Sequence, residues 1–112
     1  MSQQNIRSNN NNSNNNIRVI IADEHEMVLK SIQAMLALEP DMEIVGTAVN
    51  GHDAVQQAKA KEPDVVVMDL SMPEMDGIQA AGKIKAMGLP TQVIILSMHH
   101  DRVLVQQAGK NG

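Results

Sequence analysis

The chain has 112 residues, no cysteine, no aromatic residue and a formal charge of −4. That length suits one domain with a single modest core, and the lack of cysteine excludes disulfides and thiolate metal sites. Without aromatic rings there are no stacking platforms for single-stranded nucleic acid, and the acidic balance opposes a phosphate backbone, so direct DNA contact by this chain is not expected.

Met1–Asn16 holds eight Asn, three Ser and a single aliphatic residue, Ile6. Such a stretch cannot bury enough surface to offset its ordering entropy, and residues 1–16 are expected to be a disordered, solvated tail. It lacks the apolar segment of a secretory signal, and no apolar run in the chain approaches the roughly 20 residues of a membrane span; a soluble cytoplasmic protein is expected. Arg7 is the tail's only charge, so residues 17–112 carry −5.

From Ile17 onward, short aliphatic runs alternate with helix-period segments. Ile17–Ala22 predicts a first strand, and Val28, Ile32, Met35 and Leu36 then recur at helical spacing until Glu39-Pro40-Asp41. Met42–Ala48 predicts a second strand. Ala54, Val55 and Ala58 give a short helix face that ends before Pro63, and Val65–Met68 predicts a third strand. A third helix is expected from Gly77 to about Met87. Gly88 and Pro90 then break the chain before a fourth strand, Gln92–Leu96, and Arg102–Ala108 reads as a weaker fourth helix. With nine methionines and no rings, the core must be aliphatic and Met-rich, adaptable but weakly specifying.

Four βα units in series imply an α/β fold with a doubly wound parallel sheet, and right-handed crossovers favour strand order 2-1-3-4. Ligands of such sheets bind beyond the carboxyl ends of the strands, where the winding reverses. The residues there are Asp23 and Glu24, then Asp69 and Ser71, then Ser97. Adjacent carboxylates repel, and an oxygen-only cluster suits Mg²⁺, which retains waters and meets phosphate oxygens. An ionised aspartate such as Asp69 can also act as a nucleophile without a general base. A cation held by Glu24 and Asp69, with the Ser97 hydroxyl, could then offset charge on a phosphoryl group.

These residues carry a resemblance to the receiver domains of two-component response regulators, running from about Ile17 to the C-terminus. The matching segments are Ile21-Ala-Asp-Glu-His25, Val67-Met-Asp-Leu-Ser-Met-Pro-Glu-Met-Asp-Gly77 and Ile94-Ile-Leu-Ser97. Ile44-Val-Gly-Thr-Ala-Val-Asn-Gly51 and Ile78-Gln-Ala-Ala resemble the subfamily that precedes a LuxR- or NarL-type output domain. The resemblance implies a flavodoxin-like receiver over residues 17–112, with Asp69 as phosphoacceptor, Asp23 and Glu24 as the Mg²⁺-binding acidic pair, the Ser71 carbonyl as a further metal ligand and Ser97 in contact with the phosphoryl group. It also implies a sensor histidine kinase as partner, self-phosphorylation and autodephosphorylation as the only activity, and a role in transcription through an output domain that this chain does not carry.

The family's receivers continue through a fifth strand bearing a lysine and then a fifth helix, both of which are expected to be missing here. Lys110 lies in a helix-stop sequence, Ala108-Gly-Lys-Asn-Gly112, and is not assigned the lysine's role. The fourth strand would then be a bare edge, and a homodimer or strand-exchanged oligomer is a further expectation. His99 and His100 read as a solvated loop pair and His52 as a surface residue, while His25 reads as a neighbour that influences the acidic pair rather than as a ligand. The principal alternative is a receiver-like interaction module that is never phosphorylated. An aspartate-based phosphatase is disfavoured because Ser71 stands where a second acid would be needed, and a dinucleotide site because no glycine-rich motif follows the first strand.

Overall fold

A computed structural model describes residues 16–99 and 102–107, with side chains described over 16–96. The elements are β1 (Ile17–Ala22), α1 (Glu26–Ala37), β2 (Met42–Ala48), α2 (Gly51–Lys61), β3 (Val65–Asp69), α3 (Gly77–Ala86), β4 (Gln92–His99) and β5 (Arg102–Gln107). They form one sheet in the order β2-β1-β3-β4-β5. The first four strands are mutually parallel, in the 2-1-3-4 order of a flavodoxin-like receiver, and β5 runs antiparallel to β4.

β1 lies inside the sheet, which explains its nearly unbroken aliphatic sequence: a strand covered on both faces has no polar side. Ile20 and Ala22 enter one core with Val66, Met68, Val93 and Ile95, beneath Ala54, Ala58, Ala80 and Ile84 of α2 and α3. Val19 and Ile21 enter the other core, beneath Leu29, Ile32 and Leu36 of α1. The buried stripe of α1 is thus 29-32-36, and Met35, expected on that stripe, is 60% exposed. Leu29, three residues before Ile32 and seven before Leu36, completes one helix face, from which residue 35 is rotated away.

The helix ends follow local chemistry. Asn50 caps α2 by accepting from the Asp53 amide at 2.7 Å, and Glu62 closes it in a left-handed conformation just before Pro63. The Arg18 guanidinium donates to the Lys61 and Glu62 carbonyls at 2.8 and 3.1 Å. It thereby satisfies acceptors the helix leaves open and opposes the negative end of its dipole. Asp76 and Gln79 form a reciprocal capping box at the start of α3.

The C-terminal region departs from expectation. Residues 102–107 form strand β5 rather than a helix, paired from His99–Arg102 to Ile94–Gln107. Val103-Leu-Val105 is an apolar run too short to fix a period. Its two β-branched residues suit a pleated surface, and β4 offers an open row of backbone groups. The edge of β4 is therefore paired within the chain, which removes the reason given above for self-association at that strand. Residues 1–15 and Lys110 lie outside the described residues.

Candidate functional site

Ala22 of β1 pairs with Met68 of β3, so the residues that follow, Asp23 and Asp69, reach the carboxyl edge side by side where the winding reverses. Asp23 is 5% exposed. Its amide donates to the Ala48 carbonyl at 3.0 Å, which ties the end of β1 to the end of β2. Its Oδ1 accepts from the His25 amide at 2.7 Å and lies 3.0 Å from His25 Nδ1.

His25 occupies the N-cap of α1 in an extended conformation and makes no side-chain cap. Its ring instead turns back over the sheet edge. Nε2 lies 3.5 Å from Glu24 Oε2, so one imidazole bridges the two residues of the acidic pair. The hydrogen bond with Asp23 holds the imidazole above its ordinary pKa; desolvation opposes this, and the charges of Asp23, Glu24 and Asp69 add to it.

Asp69 is half-buried. Desolvation raises its pKa above the ordinary carboxylate value, and the negative charge of Asp23 raises it further. Hydrogen bonds from the Ser71 and Leu70 amides and the charge of His25 oppose the rise. Two carboxylates facing each other, one of them almost wholly out of water, form a set that favours a divalent cation. One ligand atom from each of Asp23, His25 and Asp69 lies within 4.8 Å of the others.

The other expected residues are placed differently. Glu24 is exposed, and its carboxylate meets the far side of the imidazole instead of joining that group. Ser71 reaches Asp69 through its amide. Ser97 follows Leu96, the β4 partner of Asp69, which puts its backbone at the same edge; its side chain lies outside the described residues, as do those of His99 and His100. His25 is the residue that sequence reasoning left out of the cluster. The available signal was its position two residues past Asp23 and one before α1, where an Asp side chain commonly accepts the amide two residues on.

The loop from Leu70 to Asp76 is held from both ends. The Leu70 amide donates to the Leu96 carbonyl at 2.9 Å and the Gly77 amide to the Leu70 carbonyl at 2.8 Å. Met72 and Met75 are buried in the α2–α3 core. Gly51, at the start of α2, packs so closely that a Cβ there would overlap the Met75 carbonyl oxygen. The start of α2 thus braces the loop behind Asp69.

A doubly wound sheet with acidic residues gathered at its carboxyl edge defines the class of open α/β domains whose ligands bind at the switch point. Within that class the chain belongs to the response regulator receiver domain family, whose family model matches residues 19–112. A protein-glutamate methylesterase/protein-glutamine glutaminase of a Nocardioides species is 42% identical over 86 residues, covering 77% of this chain and 24% of that protein. The probable transcriptional regulatory protein NarL of Mycobacterium tuberculosis is 35% identical over 96 residues, covering 86% of this chain and 44% of that protein. The solved signal receiver domain of the putative response regulator NarL from the same organism superposes with a TM-score of 0.73 at 35% identity, covering 77% of this chain and 69% of that one. The chain spans less than half the length of these curated relatives. It is a receiver domain of the two-component type, and its relatives include LuxR/NarL-type transcription regulators.

Proposed function

We propose that this chain accepts a phosphoryl group on Asp69 from a sensor histidine kinase, in a Mg²⁺-dependent reaction in the cytoplasm. The observation that carries this reading is the Asp23–Asp69 pair at the switch point, one carboxylate buried and the other half-buried with its pKa raised. An oxygen of ionised Asp69 bonds to phosphorus as the phosphorus–nitrogen bond of the donor phosphohistidine breaks, and the imidazole leaves with the bonding electrons. The Leu70 and Ser71 amides orient the Asp69 carboxylate during attack. Asp23, Glu24, Asp69 and the Ser71 carbonyl are the residues assigned to Mg²⁺, and the Ser97 hydroxyl is assigned to the transferred group. When bound, the ion supplies positive charge to the phosphoryl oxygens and relieves repulsion between the carboxylates.

Residues 17–112 act as one receiver unit. Its activity is confined to its own phosphorylation and dephosphorylation, without turnover of a separate substrate. Output passes to transcription through another domain or partner, not through DNA contact by this chain. Among the described residues no helix is long and apolar enough to cross a membrane. Incubation with a small acyl phosphate and Mg²⁺, followed by intact-mass measurement, tests the reading. The expected result is a gain of one phosphoryl group, abolished by a chelator and by Asp69→Asn. A wild-type chain that gains no mass under these conditions favours the unphosphorylated interaction module.

A further inference from the structure

We infer that two copies of this chain associate face to face, each laying the outer side of its α1 helix on the bare half of the other's sheet. The two faces of the sheet are covered unequally. α2 and α3 lie on one face, and there Val66 and Met68 of β3 and Val93 and Ile95 of β4 are fully buried. Among the described residues only α1 covers the other face, over β1 and β2. The alternate residues of the same two strands, Val65, Val67, Ile94 and Leu96, share that face with Val19 and Ile21 by register and stay half-buried. Strands with one wet face alternate apolar and polar residues. Val65-Val-Val-Met68 and Val93-Ile-Ile-Leu96 are apolar throughout, the pattern of strands covered on both faces.

α1 carries the matching surface. Its inner stripe, 29-32-36, is used by the core, yet its outer side is apolar as well: Met27 is 80%, Met35 60% and Leu38 81% exposed. Exposed Ser31 and Ala34 lie between them, and the spacing 27-31-34-35-38 is that of one helix face. Ser31 Oγ donates to the Met27 carbonyl at 2.9 Å, so the stripe's one polar side chain is already satisfied. The charged pair of the helix, Lys30 and Glu26, 3.6 Å apart, stands on a flank of this stripe. A helix that is apolar on two opposite sides is suited to being covered on both.

The dimensions of the two surfaces agree. The 12 residues of α1 form a rod about 18 Å long and about 10 Å wide. β3 to β5 form a strip about 10–14 Å wide, and the five residues of β3 run for about 16 Å. One helix therefore fills the bare half. The rest of this chain cannot supply it, since residues 1–15, 100–101 and 108–112 hold only Met1 and Ile6 as large apolar side chains. A second copy brings an α1 with an apolar outer side. In a two-fold arrangement each α1 then lies between its own β1 and β2 and the partner's β3 and β4, which covers both surfaces at once. Each copy carries a formal charge of −4, so whole chains repel, whereas Val65, Val67, Ile94 and Leu96 offer an uncharged place to meet. The footprint of one short helix per copy is at the small end of specific interfaces, so the association depends on concentration.

Size-exclusion with light scattering on the full chain, from micromolar to millimolar concentration, tests the association. The mass should rise from one chain toward two and hold in high salt, where an ionic contact would be screened. Met35→Lys and Leu38→Lys, at positions exposed in the single chain, should each weaken the dimer by at least about tenfold, because each substitution enters a two-fold interface twice. Gln56→Lys makes the same charge change at an exposed position of α2, on the opposite face, and should leave the dimer unchanged; circular dichroism confirms the fold of each variant. The chain has no cysteine, so single introduced ones report position. Met35→Cys chains mixed with Ile94→Cys chains should form the mixed disulfide under mild oxidation, and Gln56→Cys chains mixed with Ile94→Cys chains should not. A chain that keeps the mass of one copy throughout leaves both surfaces to a different partner and overturns the inference. So does a dimer indifferent to both lysines, or one without the mixed disulfide, since it would use another surface. Neither surface contains Asp23 or Asp69, so the outcome is independent of the phosphorylation assay.

Discussion

Ala22 and Met68 face each other across β1 and β3, and this register places Asp23 against Asp69. A one-residue slip in either strand would turn one carboxylate to the other face of the sheet. Ile20, Ile21, Val66 and Met68, all fully buried, hold the register because a slip would also exchange their two cores. The hydrophobic pattern of the sheet is thus what positions the charged pair.

The charge on Asp69 should destabilise the cation-free protein. Its folded-state pKa lies above the ordinary value because of desolvation and the charge of Asp23. A raised acid pKa means that the fold favours the protonated form, so the penalty is absent below the unfolded carboxyl's pKa of about 3.9 and develops as pH rises through the folded value. Asp69→Asn should therefore raise the melting temperature by a few degrees at about pH 7 in chelator, with the gain fading toward about pH 3. Thermal melts across that range check it, and a gain that is constant with pH would point to packing instead of charge.

Two glycines should respond oppositely to alanine. Gly82 lies in α3, where an added methyl would meet nothing within 4 Å, so Gly82→Ala should stabilise by about 0.5–1 kcal/mol through helix propensity. Gly51→Ala forces a methyl onto the Met75 carbonyl and should cost about 1–3 kcal/mol. Because Met75 belongs to the loop behind Asp69, Gly51→Ala should also slow Asp69 phosphorylation, whereas Gly82→Ala should leave it unchanged. Urea denaturation and the mass assay give the two readouts.

A buried hydroxyl joins the far ends of β3 and β4. Thr91 is 8% exposed, and its Oγ1 donates to the Pro63 carbonyl at 2.7 Å. Thr91→Val keeps the shape but removes the donor, at a cost of about 1–3 kcal/mol. Thr91→Ser should recover part of that stability, and denaturant midpoints distinguish the variants.

Much of this was legible in the sequence because it rests on short-range rules. β1 and β3 announce themselves as aliphatic runs bounded by turn residues, and Asp23 and Asp69 follow from being the first acids past such runs. The position of His25 depends on how the chain enters α1, with φ −95° and ψ 114° at the N-cap, and the sequence pattern does not encode which way the ring then turns. The strand at 102–107 is a tertiary choice as well, since its apolar run gains a sheet only because β4 stands open beside it. The irregularity where β1 and β2 shift register at Val19 and Ile20 leaves no trace in the alternation of residues.

That irregular strand, β2, is an outer edge of the sheet, and two side chains of α2 cover it. Gln57 Nε2 donates to the Thr47 carbonyl at 2.6 Å, and Lys61 Nζ donates to the Val45 carbonyl at 2.7 Å. Open edges pair with other chains, and a register shift together with occupied carbonyls blunts that tendency. The double substitution Gln57→Ala with Lys61→Ala should free both acceptors and raise the solution mass above that of the parent chain in size-exclusion with light scattering. Lys59→Ala, on the same helix, matches the lost charge and should leave the mass unchanged. If the double variant runs at the parent mass across a wide concentration range, the two side chains contribute only to packing of α2. If it associates, Gln57 and Lys61 of α2 are what keep the β2 edge closed.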